Sequence, residues 1–384
     1  MLLHELLDID LLDRHVEQGN VRRARHPSEP LSIYCYTHAC QYRRIWDDVT
    51  KVMRGLIVHD DTGLIVARPP AKMFNLGEHG DDTYAGPLEL KTPIRVLDKV
   101  DGSLAISYVL PSTGEVQFAS KGSFTSRQAQ WANEYIRRVF DAGDVLICPP
   151  LTEHTIIAEM IYPENRIVLD YGEREDLVLL AVINTETGKT LTDPDQVVWP
   201  FGPAVESFGV VDDPIEVVHR TRPGTEGYVL LSGDMVTRVK VKESEYVRLH
   251  ALLTGCTNRT IWDYLRTGTR LDRMYDAVPD EFAEWVKQTS SALLNKHRLL
   301  RESAWTEYAR ILAGIGAPRP EVRDDPELRK EFAQAAVKSV HRGRLFALLD
   351  ENTEKFEALL WADIRPERAL PFTNDPDLIE GEAA

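Results

Sequence analysis

A chain of 384 residues with 43% hydrophobic and 28% charged side chains has ordinary globular usage and is long enough to build two cores. Its 45 Lys and Arg are outnumbered by 61 Asp and Glu, and a net charge of −16 excludes a protein that coats nucleic acid indiscriminately, while leaving room for a local basic groove. No run of about 18 apolar residues is present, His4, Glu5, Asp8 and Asp10 stand where a leader would be basic, and Cys35, Cys40, Cys148 and Cys256 lack metal-type spacing. The expectation is a cytoplasmic protein with free thiols and no membrane association.

In chain order, residues 1–20 read as an amphipathic helix with Leu2, Leu3, Leu6, Leu7 and Leu11 on its apolar side. Residues 31–36 read as a strand, and after a polar connection 52–59 and 63–68 form a hairpin about Asp60-Asp61-Thr62-Gly63. That hairpin delivers Arg54 and Arg68, followed by Pro69-Pro70-Ala71-Lys72-Met73-Phe74-Asn75. Residues 94–98 and 104–108 then flank Lys99-Val100-Asp101-Gly102-Ser103, read as strand, tight polar turn, strand; residues 116–120 return as a hairpin partner. Lys121-Gly122-Ser123 leads into a helix through Gln128, Trp131, Tyr135 and Val139.

Residues 155–160 are a β-branched run that contains Glu159, a carboxylate unfavourable on a buried strand unless paired or bound to a metal. The runs 166–171 and 177–183 follow, the second a strongly apolar central strand, and 192–225 read as irregular with one short strand. Residues 226–231 and 235–242 form a hairpin about Ser232-Gly233-Asp234, in which Arg238, Lys240 and Lys242 share one face. From Glu243 the period changes to 3.6, with helices ending at Gly255 and near 259–266, 279–313, 326–349 and 351–364, a loop over 314–320, and a disordered last dozen residues.

A lysine beside a glycine, where a bulky ligand can approach the backbone, becomes an attacking amine when desolvation or nearby cations lower its pKa. Lys99 with further cations on strands and two strand carboxylates is a set suited to nucleotide transfer from a triphosphate: the amine attacks the α-phosphorus, cations hold the other phosphates, and carboxylates serve the metal or ribose. A GxxxxGK[ST] loop and a GxGxxG fingerprint are absent, so side chains must hold the phosphates.

The KVDGS segment resembles motif I of the covalent nucleotidyltransferases, the DNA ligases, RNA ligases and capping enzymes; Glu159 is similar to their motif III carboxylate, Glu226-Gly227 to motif IV, and Lys240-Val241-Lys242 to motif V. The upstream Arg54-Gly55, ARPPAKMFN, Ser120-Lys121-Gly122-Ser123, NRIVLDY at 165–171 and KVKESEYVRLHA at 240–251 narrow the resemblance to RNA ligases of the bacteriophage T4 RNA ligase 1 type. Val100 stands where an acidic residue can occur, and Met73 where an aromatic is common.

The resemblance implies an α+β fold, with an antiparallel-β adenylyltransferase domain over 1–245, whose N-terminal β-rich subdomain covers about 1–92, and an all-helical C-terminal domain over 246–384. It implies that Lys99 carries AMP from ATP; that Arg54, Lys72, Lys240 and Lys242 contact the ATP phosphates, with Lys121 in the same pocket; that Glu159 and Glu226 serve the ribose or a Mg²⁺ or Mn²⁺ ion; and that Tyr246 lies at the nucleotide site. The implied activity is ATP-dependent joining of RNA 3′-hydroxyl and 5′-phosphate ends by a monomer, in RNA repair. The alternatives are a DNA ligase or capping-type enzyme, whose barrel would read as short strands where this chain reads as helices, and a non-catalytic RNA-end binding protein, which would be expected to lose Lys99 or the motif V pair. Between Lys287 and Phe346, 12 Lys and Arg face 7 Asp and Glu, a mild bias consistent with a surface that meets RNA.

Overall fold

The structure, a computed structural model, describes residues 1–141, 151–191, 197–271, 278 and 280–372, and divides into two compact units, 1–248 and 249 onward. Cys148 and the tail expected to be disordered lie outside the described residues. Among the described residues no helix is long and apolar enough to cross a membrane.

The first unit carries strands β1 (Val21–Arg25), β2 (Leu31–Tyr36), β3 (Arg54–His59), β4 (Ile65–Ala67), β5 (Ile94–Asp98), β6 (Ser103–Val109), β7 (Val116–Ser120), β8 (His154–Ile161), β9 (Asp176–Asn184), β10 (Ser207–Val211), β11 (Gly227–Leu231) and β12 (Arg238–Lys242). They form three four-stranded antiparallel sheets, ordered β1-β2-β3-β4, β10-β5-β11-β12 and β7-β6-β8-β9. Ile33, Ile57 and Ala67 of the first sheet pack on Ile106, Tyr108, Ala119 and Ile157 of the third, as the period-2 alternation of both requires. The third sheet's other face takes the helix Arg127–Asp141 through Ala132 and Ile136. There Asn133 accepts from Phe118 N and donates to Phe118 O, so one side-chain amide satisfies the free edge of β7.

Several expectations need correction. The stretch Lys99–Gly102 is no hairpin turn: β5 and β6 lie in different sheets, and the loop carries the chain from one to the other. β9 ends its sheet's order rather than lying centrally; its apolar residues are covered because Leu179 exchanges backbone hydrogen bonds with the 203–205 segment. The N-terminal helix is two, Leu3–Leu6 and Ile9–Glu17, the second capped by Asp8. β1 escaped notice because three of its five residues are arginine, which suits an exposed edge strand.

The second unit is helical among its described residues, built on the long helix Asp280–Ile315. Ala304, Tyr308 and Ile311 of that helix pack with Phe332, Leu345, Leu349, Phe356 and Leu360 of later helices. The segment 326–349 is broken into Pro326–Ala336 and Arg342–Leu349, with Ser339 Oγ accepting from His341 N at the break. The expected loop at 314–320 is cut short by a helix starting at Arg319 behind Pro318.

Candidate active site

Lys99 follows the end of β5, where its backbone N–H donates to Gly227 O at 3.1 Å. Its Nζ donates to Glu226 Oε2 at 2.7 Å, and Lys242 Nζ lies 2.7 Å from Glu226 Oε1. One buried carboxylate therefore holds two ammonium groups, and its two oxygens are taken. The register that pairs Gly227 with Lys242 makes this bridge possible. Gly227 has φ +131°, and a Cβ there would lie 2.1 Å from Val241 O, so a side chain would break the pairing that presents Glu226.

Behind the lysine, Asp101 is 3% exposed and fully engaged. Its Oδ2 accepts from Val168 N and Leu169 N, and its Oδ1 accepts from the Tyr246 hydroxyl at 2.7 Å. Asp101 N donates to the Tyr171 hydroxyl. The loop is thus tied to the NRIVLDY segment and to the helix Ser244–Gly255. Tyr246 is buried at this tie, with its phenol pKa raised by burial and then by Glu226 and Asp101. Gly102 packs against β8, where a Cβ would come within 2.6 Å of Met160 O.

The loop borders a cavity of about 490 Å³ where the three sheets meet. Its lining includes the charged side chains of Arg54, Lys99, Lys121, Glu159 and Arg238 and the apolar ones of Leu97, Leu180, Val205 and Val229. Glu159 is buried on β8; burial pushes its carboxyl up to about 7, against the pull of Lys99. Lys240 is pushed down to about 7 by burial, then by Lys72 and Lys242; Lys72 is pushed down to about 8 by burial, then by Arg54. Arg238 falls to about 10 through burial and Arg54.

Every residue singled out in the sequence lies in the first unit. Arg54, Lys99, Lys121 and Glu159 line the cavity; Glu226 and Lys242 reach it through Lys99; Lys72 is close enough to Lys240 to depress it; Tyr246 acts on the loop from beneath. Sequence reasoning passed over Asp101 as a turn residue and left Arg238 on its cationic face without a task. It also missed Arg222, which donates to Asp98 Oδ1 at 2.8 Å and lies 4.2 Å from the Phe208 ring centroid. The alternation Arg238-Lys240-Lys242 was a usable signal for Arg238; nothing in the irregular run around Arg222 distinguished it.

A family model described as RNA ligase matches residues 52–246, just over half of the chain. The chain belongs to this RNA ligase family. A protein of Thermovibrio ammonificans named "Putative RNA ligase" is 29% identical over 217 residues, 54% of each chain. RNA ligase 1 of bacteriophage TS2126 is 27% identical over 129 residues, 32% of this chain and 31% of its own. The chain therefore spans about half the length, or less, of these curated relatives. An archaeal ATP-dependent RNA ligase of known structure is 16% identical and superposes with a TM-score of 0.45, covering 74% of this chain and 76% of its own. The family match encloses all nine residues from Arg54 to Tyr246 that the sequence had singled out.

Proposed function

We propose that the protein is an ATP-dependent RNA ligase with Lys99 as its nucleophile. The observation that carries this reading is the Lys99–Glu226–Lys242 bridge beside a cavity lined both by cations and by apolar side chains. A nucleotide fits that lining, with its base against Leu97, Leu180 and Val229 and its phosphates toward the cations.

Glu226 Oε2 orients Nζ and is within reach of its proton. Nζ attacks the α-phosphorus, an N–P bond forms, the bond to the β-phosphate oxygen breaks, and pyrophosphate leaves with Arg54, Lys72, Lys121, Lys240 and Lys242 balancing its charge. AMP then passes from Lys99 to the 5′-phosphate of an RNA end, and a 3′-hydroxyl displaces it to close the phosphodiester.

Among the described residues no group of three or more His, Cys, Asp or Glu side chains is arranged to hold a metal ion. With both Glu226 oxygens engaged, Glu159 is the carboxylate available to a Mg²⁺ or Mn²⁺ ion, which fits an ion carried in on the triphosphate and mostly held by phosphates and water. When bound, such an ion would neutralise phosphate charge.

Incubation with α-labelled ATP tests the reading. Wild type should take up a stable label and Lys99→Ala should not; the labelled protein should then seal 5′-phosphorylated RNA. A wild type that takes up no label would sink the enzyme assignment.

A further inference from the structure

Lys72 stands in a difficult place. Arg54, Lys121 and Lys242 all repel its charge, and among the described residues no carboxylate lies within ion-pair distance of it. Glu78, the acid that attracts it, has its oxygens engaged by Asn75 N and the Tyr84 hydroxyl. What surrounds the ammonium is aromatic: Nζ lies 5.2 Å from the Trp46 ring centroid, 5.4 Å from that of Tyr36 and 5.6 Å from that of Phe74. Trp46 stands edge-on to both other rings, 5.0 Å and 86° from Tyr36 and 5.6 Å and 82° from Phe74.

We propose that Trp46 is a positioning residue which, with Tyr36 and Phe74, forms an aromatic cage that holds the Lys72 ammonium at the triphosphate end of the site. The inference rests on the reading of the protein as an ATP-consuming ligase. Ring faces attract a cation electrostatically, most strongly when it is desolvated, and indole does so best. They do this without an anion, which matters where a polyanion must bind: a carboxylate partner for Lys72 would repel the incoming phosphates, while a ring does not.

Trp46 is placed by local structure. It directly precedes Asp47, whose side chain caps the helix Asp48–Val52 by accepting from Val49 N and Thr50 N and is anchored by His15 at 2.7 Å. Tyr36 is shared, since Lys121 Nζ lies 5.0 Å from its centroid. Tyr36 and Trp46 both lie upstream of the family match at 52–246, so the cage joins matched residues to a part of the chain that the match does not include.

The test follows formation of the Lys99 adenylate against ATP concentration for wild type, Trp46→Phe and Trp46→Leu, each also in a Lys72→Met background, alongside sealing of pre-adenylated RNA. Trp46→Leu should raise the half-saturating ATP concentration about tenfold with the maximal rate within about twofold, Trp46→Phe should stay near wild type, and sealing, which needs no triphosphate, should be unchanged. In the Lys72→Met background Trp46→Leu should have no further effect. An unchanged ATP dependence, an equal effect without Lys72, or a parallel loss of sealing and melting temperature would each overturn the cage. Should Trp46→Leu fail to fold, Trp46→Met fills the space without a ring and carries the same comparison. If wild type forms no adenylate, the ligase reading has failed, and calorimetric ATP affinities of wild type and Trp46→Leu still decide whether the cage exists.

Discussion

At the scale of single residues, the site is governed by groups moved from their ordinary ionisation. Lys240 and Lys72 are pushed down to about 7 and about 8, so near pH 8 the folded protein holds fewer protons on them than the unfolded chain does. Their burial therefore weakens the fold while they are charged, and the penalty is relieved as pH rises through those values toward the ordinary lysine range. A bound triphosphate acts in the opposite sense, favouring the ammonium forms. ATP binding at pH 8, measured calorimetrically with Lys99→Ala in two buffers of different ionisation enthalpy, should show net proton uptake, and affinity should fall as pH rises from 7 to 9. Binding without proton uptake would show that neither lysine meets the phosphates. The identity of these lysines was legible in the sequence because KVK alternates on a strand and Lys72 lies in the ARPPAKMFN segment that carries the family resemblance. Trp46 was not legible, since it sits in the polar stretch Arg43-Arg44-Ile45-Trp46-Asp47-Asp48, where neither period reports burial.

At the scale of elements, the decisive feature is the crossing from β5 to β6. The two strands were recognised from their alternation, and the return strand β7 pairs as expected, with Ala105 opposite Ser120. That β5 pairs instead with β10 and β11 could not be read locally, because pairing is a long-range choice made by the partner's apolar face. The crossing explains why Gly102 is glycine: the loop must descend onto β8. Gly102→Ala should cost about 1–3 kcal/mol of stability through the contact with Met160 O, and adenylate formation should fall further than the stability loss explains, because Lys99 rides on the same loop. Chemical denaturation with parallel adenylylation assays measures both; a fully active, fully stable alanine variant would contradict the close packing.

At the scale of the whole molecule, the chain's acidity is reconciled with the proposed binding of a polyanion by concentrating cations around one cavity of the first unit. The stretch from Lys287 to Phe346 looked mildly basic in sequence, but nine of its twelve cations are matched with acids, among them Arg298 with Glu302, Arg301 with Glu357, Arg329 with Asp350 and Arg344 with Asp363. Only Lys296, Lys338 and Arg342 of that stretch lack such a partner among the described residues. A sequence count cannot see this, because five of the matched acids lie outside the counted stretch, four of them on the helix Thr353–Asp363 or just before it. Replacing Lys296, Lys338 and Arg342 together by alanine should leave RNA sealing within about threefold of wild type at physiological salt; a much larger loss would show that this surface carries the RNA.

The central claim is that Lys99 forms a bond to AMP, and intact-protein mass spectrometry tests it most directly. After incubation with ATP and Mg²⁺, followed by denaturation and peptide mapping, wild type should gain one AMP on the peptide containing Lys99, and Lys99→Ala should gain none. AMP on another residue, or an unmodified wild type, would contradict the account.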